Sequence, residues 1–133
     1  MYRFACAAVF LIVLGWIVGC TPQGAKAPPT VRVSGTVRMN DKPMQGGEVY
    51  FSVKGFPAKI CKIEDGKFSG DAYAGKNNIE VVWNKDDVAS STNPNMKKTV
   101  NFVSENYSGE KSLLNADIPE GAEKTFDFQV LAK

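Results

Sequence analysis

The chain contains no histidine. That removes at once the commonest metal ligand, the commonest general base and the usual switch near neutral pH. Its three cysteines, Cys6, Cys20 and Cys61, are too few to staple a domain. Charge is never concentrated: 16 basic and 14 acidic side chains are interspersed. No basic stripe is available for nucleic acid, so that class of partner is excluded. After residue 19 there is also no long apolar stripe at helical spacing, which argues against a helical domain.

The longest apolar run is itself short. From Phe4 to Val18 it spans about 15 residues, fewer than the roughly 20 that a bilayer core requires. No Lys or Arg cluster follows it as a stop-transfer signal. With Arg3 ahead of it, the run reads as the apolar region of a signal peptide, residues 1–19. It closes on Ile17-Val18-Gly19-Cys20, which resembles the lipobox of bacterial lipoproteins. The resemblance implies cleavage between Gly19 and Cys20, where a small residue gives the peptidase access, and lipidation of the Cys20 thiol. Cleavage removes Cys6 and Arg3, leaving a nearly neutral chain with Cys61 as its free thiol, expected as a small apolar residue in or beside a strand. More than one acyl chain on Cys20 makes the attachment stable. The expected location is the cell membrane or outer membrane, facing the periplasm or the exterior. Thr21 in place of Asp favours the outer membrane by the sorting rule of some bacteria.

Residues 20–30 hold Pro22, Gly24, Pro28 and Pro29 and show no apolar period, so they read as an extended tether. Residues 31–133 are long enough for one domain with its own core. Within them, apolar residues recur every second position. Val31, Val33 and Val37 share a face, as do Val49, Phe51 and Val53. The same holds for Ile79, Val81 and Trp83, for Leu114, Ala116 and Ile118, and for Phe126, Phe128 and Val130. Asn40-Asp41-Lys42-Pro43 and Asp65-Gly66 mark tight turns. Lys85 to Lys98, rich in Ser, Asn and Asp and without an apolar stripe, reads as a long exposed loop, Thr99 to Val103 as a short strand, and Asn106 to Gly109 as a turn. About seven short strands with frequent turns describe an all-β fold, a single Greek-key β-sandwich.

Val33-Ser34-Gly35-Thr36-Val37, then Asn40-Asp41-Lys42-Pro43-Met44 and Gly47-Glu48-Val49-Tyr50-Phe51, form a longer signature. It resembles the opening of carboxypeptidase-regulatory-like, transthyretin-like (prealbumin-like) domains, with Lys42 where glycine is usual and Gly47 where alanine is common. Asp65-Gly66-Lys67-Phe68 and Gly70-Asp71-Ala72-Tyr73 are similar to that family's next hairpin, slightly displaced. The resemblance implies a small extracytoplasmic sandwich module, with no reaction attached. Gly35 inside its strand points to a bulge or a close backbone approach.

Catalytic constellations are scarce. The transthyretin-like group includes a ring-opening hydrolase of purine catabolism that depends on histidines and a C-terminal Tyr-Arg-Gly-Ser, whereas this chain ends Val130-Leu131-Ala132-Lys133. Ser90-Ser91 with Lys97-Lys98 would be a Ser/Lys pair, but nothing nearby desolvates the lysine. Asn84, Asp86, Asp87 and Asn93 offer oxygens without the spacing of a calcium loop. No catalytic residue, metal site or cofactor is therefore expected, and the protein does not read as an enzyme. Tyr50, Tyr73 and Tyr107 are the candidate ligand contacts, since aromatic rings with a polar tip suit binding surfaces. Trp83 belongs by alternation with the core. The expected role is a membrane-anchored, non-catalytic binding or structural module of the envelope. Its partners are the membrane through the lipid anchor and an envelope protein or glycan. A carbohydrate-binding surface module and an accessory subunit of an envelope transport or secretion complex are the alternatives.

Replacing the anchor residue tests the address. Cys20→Ser should lose lipid label and leave the membrane fraction. A variant that stays membrane-bound, uncleaved and indifferent to signal-peptidase inhibition would identify a transmembrane anchor instead.

Overall fold

A computed structural model describes residues 24–87 and 98–133. Gly19, Cys20 and the rest of the leader lie outside the described residues, as do Ser90, Ser91, Asn93 and Lys97. The described chain forms ten strands: β1 (Thr30–Met39), β2 (Lys42–Pro43), β3 (Glu48–Ser52), β4 (Lys59–Glu64), β5 (Lys67–Tyr73), β6 (Gly75–Val82), β7 (Asn84–Asp87), β8 (Lys98–Asn101), β9 (Leu114–Ile118) and β10 (Lys124–Val130). Seven of them run in the order β10-β1-β5-β4-β3-β6-β9, with β2 added beside β1. The fold is all-β.

The path curls into two layers because β4 and β5 pair only through Ile63 with Phe68 and Glu64 with Lys67. On one side of that crease lie β10, β1 and β5; on the other lie β4, β3, β6 and β9. Two hairpins join β3 to β4 and β4 to β5. β5 then returns beside β1, antiparallel to it. Four strands in that arrangement make a Greek key. β10 closes the first layer by lying parallel to β1, Val33 to Met39 against Lys124 to Val130.

Two-residue periodicity sorts the side chains as the sequence implies. Val31, Val33 and Val37 of β1 are buried, with Phe68, Ala72, Phe128 and Val130 from their own layer. Facing them are Val49, Phe51, Cys61, Ile63, Ile79, Val81, Ala116 and Ile118. Phe51 reaches across the layers, its ring centroid 6.0, 6.3 and 6.4 Å from those of Phe68, Phe126 and Phe128. Phe128 stacks on Phe126 and Phe68 at 5.7 and 5.8 Å. Both tight turns take the positive φ that their residues permit: 51° and 64° at Asn40 and Asp41, 49° and 76° at Asp65 and Gly66.

The ends of the curled sheet, β9 and β10, meet at a seam. Lys124 Nζ donates to the Asp117 carbonyl across it at 3.0 Å. Residues 102–104 pair with 131–133 farther along, Ser104 N–H to the Leu131 carbonyl and Lys133 N–H to the Phe102 carbonyl, both 2.9 Å. That contact drives Val103 fully inside.

Two segments depart from the sequence expectation. The ends of the stretch read as a loop, Lys85 to Lys98, belong to a β7–β8 ribbon whose register runs from Asn84 opposite Asn101 to Asp87 opposite Lys98. A ribbon built of polar residues has no apolar alternation to betray it. Asn101 Oδ1 secures its base, accepting from the N–H groups of Trp83 at 3.0 Å and Val103 at 3.1 Å. The turn expected at Asn106 to Gly109 starts as a single turn of 3-10 helix, Glu105–Tyr107, capped by the Ser104 hydroxyl.

Gly35 sits between Phe126 and Phe68 in register on β1. A Cβ there would collide with the Phe126 carbonyl oxygen and come within 2.8 Å of the Phe68 ring. Gly35→Ala should therefore cost about 1–3 kcal/mol, the usual range for overpacking a filled core. Denaturant unfolding measures it; a midpoint unchanged from wild type would show that the β10 backbone and the Phe68 ring give way freely.

Candidate functional site

The solvent face of the β4-β3-β6-β9 layer is built by the residues that alternate with the core. Glu48, Tyr50 and Ser52 point outward from β3; Ile60, Lys62 and Glu64 do so from β4, and Asn78, Glu80 and Val82 from β6. Register aligns them in rows. Tyr50 lies between Ile60 and Glu80, and Glu48 between Lys62 and Val82. Ile60 is 53 % exposed, an apolar residue on a mainly polar face that also carries Val82.

Tyr50 occupies the middle of this face and is held there. Its hydroxyl donates to Glu48 Oε2 at 2.7 Å, so the side chain leans back along the strand over its same-face neighbour. The phenol is pushed up to about 12, first by that hydrogen bond, then by burial and by the charges of Glu48 and Glu80. A cleft opens at each end of the β3 row. One, of about 370 Å³, is lined by Gly47, Glu48, Lys62, Glu64, Trp83 and Asn84 among others. The other, of about 520 Å³, takes Lys54, Phe56, Asn78, Glu80 and Glu110 into its walls. Asn78 Nδ2 donates to the Gly109 carbonyl at 2.9 Å, which anchors the second cleft's rim.

The three tyrosines expected as contacts do not converge. Tyr50 alone stands on this face. Tyr73 is a correction: it is buried, 7 % exposed. Alternation turns it outward from β5, but the β3–β4 connection folds over it, placing the Phe56 ring at 6.0 Å and Lys59 Nζ 5.1 Å from its centroid. Tyr107 packs its half-buried ring against the core from the 3-10 turn.

Trp83 has more to offer than the sequence implied. It packs partly on the core, yet it sits at the elbow where β6 gives way to the ribbon, and it lines the first cleft. Lys85 Nζ lies 3.6 Å from the centre of its ring and 5.3 Å from that of Phe102. An aromatic closing one strand while the next residue starts a polar one is the signal that marks such an elbow. The Cys61 thiol is buried, and burial, with the Asp71 carboxylate, pushes its pKa up, so it packs as a small apolar group. No group of three or more acidic or cysteine side chains gathers to hold a metal among the described residues.

No family model matches this chain, and no curated protein matches it either. Among solved structures it is similar to a DUF3823 family protein from Parabacteroides merdae ATCC 43184, at 13% identity and a TM-score of 0.39, over 80% of this chain and 47% of that one. It is also similar to a 9R-lipoxygenase from Cyanothece PCC8801, at 16% identity and a TM-score of 0.34, over 75% of this chain and 16% of that one. In both cases the chain spans less than half of the other protein.

The Tyr50–Glu48 contact predicts a pH response. The folded chain holds the Tyr50 proton to about pH 12, whereas the unfolded chain releases it near its ordinary value of 10.0. The stability this contact contributes is complete below pH 10 and declines as pH climbs through the folded value. Ring-carbon NMR should show Tyr50 titrating well above ordinary tyrosine, and Glu48→Gln should bring it back toward 10. A Tyr50 that already titrates near 10 in the wild-type chain would contradict the contact.

Proposed function

We propose that this chain is a lipid-anchored, non-catalytic binding module of a bacterial envelope, a transthyretin-like sandwich carried on a Pro-rich tether. The observation that carries the reading is the outer face of the second layer, a rigid surface with a fixed aromatic at its centre and a polar cleft at either end. Its lining groups are carboxylates, ammoniums and amides, suited to holding a ligand. The Tyr50 hydroxyl, held against Glu48, keeps its proton to about pH 12 and is a poor nucleophile, and a chain without histidine has few ways to supply another base. The lipobox-like Ile17-Val18-Gly19-Cys20 supports the anchor, and the Val33 to Phe51 signature supports the family. Fold alone does not choose a ligand, because function resides in the site.

A second reading, as an accessory subunit of an envelope complex, draws on Phe102 and Leu131, 41% and 51% exposed beside the ribbon base. Exposed apolar residues close together suit a protein interface.

Crosslinking in intact cells, followed by purification and mass spectrometry, separates the two. The binding-module reading expects envelope polysaccharide, or no stoichiometric protein, with the native chain recovered from membranes. One protein recovered in fixed ratio, with crosslinks at Lys85 or Lys133, would replace it with the subunit reading.

A further inference from the structure

We infer that the outer face of the second layer binds a linear, uncharged oligosaccharide, laid along β3 from the Trp83 cleft over Tyr50 to the Phe56 cleft. This rests on the binding-module reading above and names its ligand class. Length is the first argument. Glu48 to Ser52 is four residue steps, about 13 Å at strand spacing, and a cleft continues beyond each end. The surface therefore suits an elongated occupant better than a compact one.

Backbone pairing is the second argument. β3 is bonded to β4 on one side and β6 on the other, and β6 is bonded to β3 and β9. Both edges of β3 and of β6 are therefore taken, so a peptide laid along the β3 row cannot join it there as an added strand, and the layer's end strand β9 lies two strands away. Recognition must pass through side chains and ring faces. Charge is the third. Glu48, Glu64, Glu80 and Glu110 outnumber Lys54 and Lys62 along the two clefts. That excess repels phosphate polymers, acidic glycans and nucleic acid. What remains is a ligand rich in groups that both donate and accept, and hydroxyls do both. Carboxylates accept from them and the lysines donate to them. The Tyr50 ring, already fixed by Glu48, offers an amphipathic surface for the C–H face of a sugar. Fixing the ring before binding lowers the ordering cost of the complex.

The chain has two tryptophans, Trp16 in the leader and Trp83 at the cleft. In the full chain carrying Trp16→Phe, held in detergent, Trp83 emission reports on the site, and calorimetry gives an independent reading. Tetramers of β-1,4-glucose, α-1,4-glucose and β-1,4-N-acetylglucosamine are the probes. At least one should bind saturably and shift Trp83 emission. Tyr50→Ala should weaken that binding tenfold or more, and Glu80→Gln at least threefold, while Leu131→Ala leaves it unchanged. Glu80→Gln spares the core, so it decides the matter even where Tyr50→Ala unfolds. No binding to any of the three tetramers overturns the inference. So does binding that ignores Tyr50 and Glu80, or tighter binding of the cationic glucosamine tetramer than of its acetylated form. Fractionation of the same cells keeps the two proposals apart. A membrane-bound chain that binds no sugar loses only this inference, whereas a sugar-binding chain that is never lipidated loses only the anchor.

Discussion

The contact on which the rest depends is the insertion of Phe51 between layers, against Phe68, Phe126 and Phe128. These four rings come from three strands far apart in the chain. Phe51 is on β3, Phe68 begins β5 just past the crease, and Phe126 and Phe128 sit on the last strand. Their meeting fixes how far the sheet curls, because β4 and β5 alone share too few pairs to set the angle. Gly35 is part of the same device. Its missing side chain is the space taken by the Phe126 backbone carbonyl on one side of β1 and by the edge of the Phe68 ring on the other. An aromatic leaning over a strand glycine restores the contacts that the glycine lacks and pins the register. On the other side, the parallel β10 can bring its backbone this close to β1 only because Gly35 has no Cβ.

Rigidity of the outer face follows from that core. β3 and β6 are central strands, with Val49, Phe51, Ile79 and Val81 fully buried beneath. Side chains opposite them cannot shift without disturbing close-packed neighbours. Tyr50 inherits this stability, and its hydrogen bond to Glu48 removes most of the freedom left to it. A surface of this kind holds a shape before any ligand arrives. The ribbon differs, since its described part is tied in at the Trp83, Asn101 and Val103 junction and packs little against the sheet.

Much of this architecture was legible in the sequence because burial imposes a period. Every strand of the seven-strand path carries alternating residues, and Asn40-Asp41 and Asp65-Gly66 accept backbone angles that few other pairs would. Gly35 was legible too, as a strand glycine that had to be there for closeness. The candidate site was less so. Alternation placed Tyr50 on the outward face of its strand, whereas Tyr73 was a candidate only as an aromatic ring with a polar tip. What alternation cannot give is which outward face another segment covers. The β3–β4 connection lies over Tyr73 and leaves Tyr50 open, a difference created wholly by long-range packing. Trp83 is the converse case. Its phase fits the core, but its position at the last turn of the pattern lets the ring serve the core and the cleft at once. Of the ribbon, β8 falls largely within the strand expected at Thr99 to Val103, whereas β7 carries no apolar residue to give it away.

Strand direction adds a final consequence. The chain enters at Thr30, next to the β5–β6 connection, where Ala74 N–H donates to the Pro29 carbonyl at 2.8 Å. From that end β6 runs eight residues toward Trp83, about 26 Å at strand spacing. In the lipid-anchored form, the tether adds up to roughly 30 Å when extended. The Phe56 cleft, at the Ser52 end of β3, lies toward the entry end of the sheet, and the Trp83 cleft and the ribbon base lie toward the other. A ligand laid along β3 as proposed would run from the end of the sheet where the chain enters to the end where the ribbon begins, with Tyr50 between the two clefts.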